Sequence, residues 1–300
     1  MKDKIGFVGL GAMGGKMVPH LLKGGYEVFV CDSQVEAVAS AVMGGAARCE
    51  SPRHVADHAD IVLACLPTPD VVEQVALGKA GIAEGKRVRI FVDHSTTGPS
   101  MARSLALRLA EHGIAALDAP LAGGVAGADA GTLSVMVGGD RAAFERCEPA
   151  FKSFGRKVVH VGTEPGAGQT LKLVNNMIVG ATLIATSEAV LFGLKSGLDA
   201  RVLLDMINAS TARSFTSETL VAKAVLSRRF DFGFRMDLMR KDVRLFLAEA
   251  EQVGVSTFMA SVTKQFFDRS IAQGYGGDDM TQVVRELEQL AGVQIAAAAA

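Results

Sequence analysis

Through the first half of the chain, short apolar runs alternate with longer stretches in which apolar residues recur every three or four positions. The runs are Ile5–Val8, Val28–Cys31, Ile61–Leu66, Val88–Val92, Ala115–Ala119, Leu133–Val137 and Val158–Val161. Between several of them lie Ala12–Lys23, Val35–Met43, Val71–Ala76, Ser100–His112 and Arg141–Phe154, which read as helices. Strand–helix alternation with buried runs predicts a parallel sheet covered on both faces. Beyond Gly162 the strand-like runs stop. Helical patterns follow at Gln169–Leu194, Ala200–Asn208, Ser217–Leu226, Asp237–Gln252, Ser261–Ala272 and Thr281–Leu290. In Asp237–Gln252, Leu238, Val243, Phe246 and Leu247 keep helical spacing, with Arg240, Lys241, Arg244 and Glu251 between them. The prediction is an α/β chain in two parts. A doubly wound sheet domain covers residues 1–163, and an all-helical domain covers 164–300, opening with a long helix at about 166–194. Pro165, at the boundary, suits the first turn of that helix. The tail ending in Ala296–Ala300 has no periodic face and reads as frayed.

Composition changes this picture little. The formal net charge of -1 over 300 residues leaves no basic excess to neutralise a polyanion, so a nucleic-acid partner is not expected. The longest uncharged stretch, Leu173–Ser187, falls short of the ~20 apolar residues of a membrane span and reads as a buried core helix. No signal segment precedes the first strand, and a cytoplasmic location is expected. Cys31, Cys49, Cys65 and Cys147 form no CxxC pair and show no metal spacing to a histidine, so they read as reduced, buried thiols, with no metal expected.

Candidate chemistry begins at Gly9-Leu10-Gly11-Ala12-Met13-Gly14, a GxGxxG between a strand-like and a helix-like stretch. Gly9 allows a tight turn, Gly11 lets the backbone approach a pyrophosphate, and Gly14 lets the helix pack close to the strand. The helix N-terminus offers N–H groups and a positive dipole end to the phosphates. The next strand ends at Asp32, about twenty residues on, where a carboxylate accepts from the adenosine ribose of NAD and repels the 2′-phosphate of NADP. The first domain is therefore expected to be of Rossmann type and to prefer NAD.

A dinucleotide fold does not name a reaction. All six histidines lie in the first ~160 residues, neither tyrosine begins a Tyr-x-x-x-Lys, and no zinc-ligand set is evident. A lysine becomes the leading proton carrier. Lys172 is the only charged residue between Glu164 and Glu188, so partial burial is expected, which favours the neutral amine that a general base needs. Gly168, one turn back, would leave room for a ligand, and Asn176, one turn on, could hold a substrate hydroxyl. A snorkelling lysine at a domain junction is the alternative.

The chain resembles the 3-hydroxyisobutyrate dehydrogenase family of β-hydroxyacid dehydrogenases over nearly its whole length. "GFVGLGAMG" is similar to the family's cofactor signature and "DAPLAGGVAGADAGTLSVMVGG" to its substrate loop. "GAGQTLKLVNN" is similar to its catalytic helix and "LMRKDVRL" to its late lysine motif. The resemblance implies an NAD-dependent dehydrogenase interconverting a small β-hydroxyacid and its semialdehyde or keto form. It implies Lys172 as the catalytic lysine, Asn176 as a substrate holder, and Gly123 and Gly124 as backbone donors to the substrate carboxylate. Leu66 and Pro67 would line the cofactor, Thr96 would lie near the nicotinamide end, and Lys241 would reach the cofactor from the second domain. Dimers or tetramers formed through the helical domain are also implied. Ala122 departs from the family's Ser or Thr, removing one side-chain donor to the carboxylate, worth ~1 kcal/mol. A second departure is "INASTARSF" (Ile207 to Phe215), where relatives often have a glycine near Ala212; the nearby Arg213 is either a contact to a second acidic group or a solvated side chain. A non-catalytic NAD-binding module and a reductase of another aldehyde or imine on the same scaffold are the competing readings. Retained Lys172 and Asn176 weigh against both.

Overall fold

The computed structural model describes residues 2–297, and the chain divides into two compact units, Met1–Lys172 and Leu173–Ala300. In the first unit the strands are β1 (Ile5–Val8), β2 (Val28–Cys31), β3 (Ala47–Arg48), β4 (Ile61–Ala64), β5 (Ile90–Asp93), β6 (Ala115–Asp118), β7 (Leu121–Ala122), β8 (Leu133–Gly139) and β9 (Gly155–Gly162). They interleave with helices α1 (Gly14–Lys23), α2 (Val35–Met43), α3 (Pro52–His58), α4 (Pro69–Leu77), α5 (Pro99–Ala110), α6 (Gly124–Asp129) and α7 (Arg141–Phe154). The sheet order is β3-β2-β1-β4-β5-β6-β8-β7, with β9 paired to β8.

From β3 through β6 every neighbouring pair is parallel, as the alternation predicts. The sheet then departs from the expected all-parallel order: β8 runs antiparallel to β6 and to β7. The reason lies in the connection. A parallel return needs a crossover of a dozen or more residues, whereas only about ten, six of them in α6, separate β7 from β8. The fourteen residues of α7 supply such a crossover, and β9 pairs parallel with β8.

Alternation along the central strands splits the core in two. Ile5, Phe7, Val28, Val30, Ile61 and Leu63 pack with Met17 and Leu21 of α1 and Phe151 of α7. Val8, Phe29, Val62, Ala64 and Phe91 pack on the other face with Val55 of α3, Val72 of α4 and Leu109 of α5.

Helix α8 spans Ala167–Lys195. It is followed by α9 (Ala200–Asn208), a π-helix over Thr216–Val225, α10 (Met236–Gln252), α11 (Phe258–Ala272) and α12 (Val284–Ala291). The predicted α-helix at Ser217–Leu226 is thus wound more loosely, with Leu226 N–H reaching back five residues to Val221 O at 2.9 Å. Leu183, Val190, Leu204, Val221, Met239 and Phe267 are among the residues of this unit's own core.

Helix α8 corrects the reading of a buried core helix. Leu173, Leu183, Ile184, Val190 and Leu191 are buried, but Val174, Ile178 and Phe192 are exposed. A stretch without charge need not be buried all round, because burial follows the face turned to the core. By length and composition alone α8 could cross a membrane, a test that core helices of soluble proteins also pass.

Candidate active site

The β1–α1 turn has the geometry that the glycine pattern requires. Gly9 has φ +95°, a conformation open to glycine. A Cβ on Gly14 would stand 2.0 Å from Gly9 O and 2.7 Å from the Phe7 ring, so only hydrogen lets α1 start this close to β1. A Cβ on Gly11 would meet nothing within 4 Å. The turn is therefore open at the one glycine expected to let a ligand approach, which fits a dinucleotide pyrophosphate. Leu10 is buried, Gly11 and Ala12 are exposed, and Met13 is half-buried. Asp32 is tied to this turn: its Oδ2 accepts from Leu10 N–H at 2.5 Å and its Oδ1 from Gln34 N–H at 2.7 Å. Oδ1 also takes a long bond from Ser33 Oγ at 3.4 Å, and Oδ2 keeps a lone pair for a ribose hydroxyl.

The loops after β4 and β5 are joined. Leu66 N–H donates to Ser95 Oγ at 2.9 Å, while Pro67 is exposed and Thr96 half-buried. Asp93 Oδ1 accepts from Ser95 N–H at 2.8 Å, and its Oδ2 accepts from Thr97 Oγ1 at 3.0 Å.

The start of α8 is anchored to these loops by two side chains that the sequence reading did not single out. Asp118, at the end of β6, accepts from Gly166 N–H at 2.7 Å and from Gln169 N–H at 2.8 Å. The carboxylate thereby satisfies N–H groups that a helix start leaves open. Gln169, fully buried, accepts from Thr97 N–H at 2.9 Å and Gly98 N–H at 3.1 Å, and donates to Ser95 O at 2.8 Å. Lys172 follows on the same helix and is half-buried, as its uncharged surroundings predict. Gly168 does not leave room for a ligand. A Cβ there would stand 2.2 Å from Met136 O and 2.9 Å from Asp118 O, so the glycine serves close packing of α8 on β8 and β6.

Gly123 and Gly124 both have positive φ, +128° and +65°, and open α6 directly after Ala122 of β7. In the second unit, Asn176 is buried, its Nδ2 donating to Asp242 Oδ2 at 2.6 Å and its Oδ1 accepting from Asn175 Nδ2 at 3.0 Å. Lys241 Nζ pairs with Asp242 Oδ1 at 2.9 Å. Asp242 is a buried hub that sequence reasoning missed, although it stands beside Lys241 in the "LMRKDVRL" motif. Arg213 pairs with Glu218 at 2.7 Å on an exposed surface, which agrees with the solvated reading.

Two buried groups beside Thr96 titrate in opposite senses. Burial pushes Asp93 up to about 6, against the hydrogen bonds from Ser95 and Thr97. Burial pushes His94 down to about 4, against its bond to Ala119 O. Folding raises the Asp93 pKa, so this group adds stability as pH falls from about 6 towards 3.8. Folding lowers the His94 pKa, so its contribution is lost as pH falls from 6.5 towards about 4. In the wild type the two effects largely cancel. Asp93→Asn leaves His94 unopposed. Urea unfolding of this variant is expected to show a stability loss between pH 6 and 4 that exceeds the wild type's by on the order of 3 kcal/mol, the contribution Asp93 no longer makes. Identical pH profiles would show that the two groups are not so coupled to folding.

Fold and site together define an NAD-binding oxidoreductase. Residues 4–162 match the family described as the NAD-binding domain of 6-phosphogluconate dehydrogenase. Residues 166–287 match the family described as NAD-binding of NADP-dependent 3-hydroxyisobutyrate dehydrogenase. The 2-(hydroxymethyl)glutarate dehydrogenase of Eubacterium barkeri is 39% identical over 293 residues, covering 97% of each chain. The NAD-dependent L-serine dehydrogenase of Pseudomonas aeruginosa is 37% identical, over 93% of this chain and 96% of its own. The solved structure of Mycobacterium tuberculosis 3-hydroxyisobutyrate dehydrogenase with L-serine superimposes with a TM-score of 0.84 at 31% identity, covering 96% of this chain and 99% of the other. The chain belongs to the 3-hydroxyisobutyrate dehydrogenase family of β-hydroxyacid dehydrogenases.

Proposed function

We propose that the protein interconverts a small β-hydroxyacid and its semialdehyde or keto form, with Lys172 as general acid and base. The observation that carries this reading is the anchoring of α8. Asp118 and Gln169 fix its first turn, and the half-buried Lys172 lies less than one turn beyond. Bound NAD supplies the hydride acceptor for the oxidation and NADH the donor for the reverse. The turn Gly9 to Gly14 and Asp32 would hold it, with Leu66, Pro67, Thr96 and Lys241 completing the contacts. Gly123 and Gly124 receive the substrate carboxylate through backbone N–H groups, beside Ala122. Asn176 keeps one amide hydrogen and one oxygen lone pair beyond its bonds to Asp242 and Asn175, enough to orient a substrate hydroxyl. In oxidation Lys172 Nζ takes the proton of that hydroxyl; in reduction it returns the proton to the carbonyl oxygen.

The substrates named for the relatives narrow the class. 2-(Hydroxymethyl)glutarate, L-serine and 3-hydroxyisobutyrate share a 3-hydroxypropanoate unit and differ in the group on carbon 2. The test is a panel of 3-hydroxypropanoates bearing methyl, amino or carboxyethyl at carbon 2, with NAD and with NADP. Turnover of one of them with a higher kcat/KM for NAD is the expected result. NADH binding without turnover across the panel would favour the non-catalytic reading, and equal turnover with NADP would remove the role given to Asp32.

A cytoplasmic location and a homodimer or homotetramer belong to the same reading. Support for assembly comes from the second unit, which exposes Phe192, Val202, Met206, Phe258 and Met259. Light scattering should give a mass of two or four chains; a monomer at working concentration would refute it.

A further inference from the structure

The stretch "CESPRHVADH" (Cys49 to His58) leaves edge strand β3 and enters α3. Ser51 caps the helix, its Oγ accepting from His54 N–H at 3.1 Å, and Pro52 occupies the first turn. His54 and His58, four residues apart, share one helix face, with ring centroids 4.8 Å apart. Cys49 is held against β2 by its N–H, which donates to Val30 O at 2.8 Å. One ligand-capable atom from each of Cys49, His54 and His58 lies within 4.8 Å of the other two. The sequence reading found no metal spacing around the cysteines; a cap and a single helical turn create this one.

We infer that Cys49, His54 and His58 form a binding site for a late-transition divalent cation, with Zn2+ the best fit. The donor set is one cysteine sulfur, which gives up its proton to solvent on binding, and two imidazoles, the combination that suits zinc rather than the hard cations. With Zn–N near ~2.1 Å and Zn–S near ~2.3 Å, tetrahedral ligand atoms stand roughly 3.5 Å apart. The three groups need to close by at most about 1 Å, a movement that small rotations of the His54 and His58 rings can supply. His58 Nδ1 lies 2.9 Å from His54 O. A carbonyl cannot donate, so Nδ1 carries the proton and Nε2 of the neutral ring presents its lone pair. This is the backbone anchor that orients metal-binding imidazoles. His54 Nδ1 accepts only a long bond, 3.3 Å from Glu50 N–H, which a cation can replace. Cys49 is buried, His54 half-buried and His58 exposed, so the site has an anchored floor and an open side for entry and for a water as fourth ligand. Bound there, the cation ties the edge strand to α3. None of the three residues belongs to the dehydrogenase site. The alternative is packing alone, for which the contact of the His58 ring with Phe29, at 5.3 Å between centroids, would suffice.

The test is titration of the full chain, stripped with a chelator, using Co2+ as the probe. The expected result is one equivalent of a thiolate-to-cobalt charge-transfer band, displaced by Zn2+. Cys49→Ser abolishes the band. His58→Asn, at an exposed position, weakens Co2+ binding by at least the ~10-fold that even outer-shell changes cost. Cys31→Ser, altering the neighbouring buried thiol, leaves the band intact. Zn2+ raises Tm in the wild type and not in His58→Asn, a readout that stands even if the Cys49 variant fails to fold. Absence of the band, or a band and a Zn2+ effect on Tm that survive His58→Asn, would leave packing as the role of the cluster and overturn the proposal.

Discussion

Lys172→Ala is expected to lower kcat by about 10²- to 10⁴-fold while leaving NADH affinity close to the wild type's. The direction follows from what the side chain does and does not support. In the proposed mechanism, removing Nζ removes the group that exchanges the hydroxyl proton. The glycine turn, Asp32 and the Leu66–Ser95 bond, which lie elsewhere in the first unit, keep their geometry. Asp118 and Gln169 hold the start of α8 and are untouched by the substitution. Alanine is itself a strong helix former, so the helix keeps its propensity at this position. Lys172→Arg should not rescue the rate, since a guanidinium holds its proton throughout the working range. Steady-state kinetics on the best substrate of the panel, with NADH binding measured separately by fluorescence, decides the point. An unchanged kcat would take Lys172 out of the mechanism.

Gly168→Ala should destabilise the protein by about 3 kcal/mol or more, a very large effect for one methyl group. The added Cβ would stand 2.2 Å from Met136 O and 2.9 Å from Asp118 O, both backbone atoms of sheet strands. A flexible side chain could swing away from such a contact, but a strand carbonyl cannot without losing its ladder. The comparison is Gly11→Ala. With nothing within 4 Å of its Cβ, this variant should keep the wild-type unfolding midpoint and lose affinity for NAD. Urea denaturation of the two variants side by side separates a glycine kept for packing from one kept for a ligand. Equal midpoints for Gly168→Ala and wild type would refute the packing role.

Five elements were legible to their bounds. β1, β2, α2, α7 and α9 match the expected bounds, because each has a long enough period or a clean enough apolar run. Strands β3 and β7, with two residues each, and helices α3 and α6, with seven and six, were missed because so few residues cannot show a period. The antiparallel placement of β8 was missed for a different reason. Strand direction depends on the length of the connection, and α6 was hidden inside the substrate-loop motif.

The glycine turn, Lys172 and Asn176 were legible as candidates from residue type and local spacing, Asp32 from its distance to the turn, and Gly123 and Gly124 through the family resemblance. What lies around them was not. Asp118 reaches forty-eight residues along the chain to Gly166, Gln169 reaches seventy-two to Thr97, and Asp242 reaches sixty-six to Asn176. Sequence by itself determined the local parts of this protein, since helix period, turn chemistry and the identity of a charged side chain in an apolar stretch are properties of neighbouring residues. Only the tertiary structure decided which groups hold those parts in place. Gly168 turned from a ligand's space into a packing contact, and Cys49, His54 and His58 turned from unrelated residues into a cluster, because hydrogen bonding, burial and ligand geometry act through space over a few ångströms, a distance that spacing along the chain does not measure.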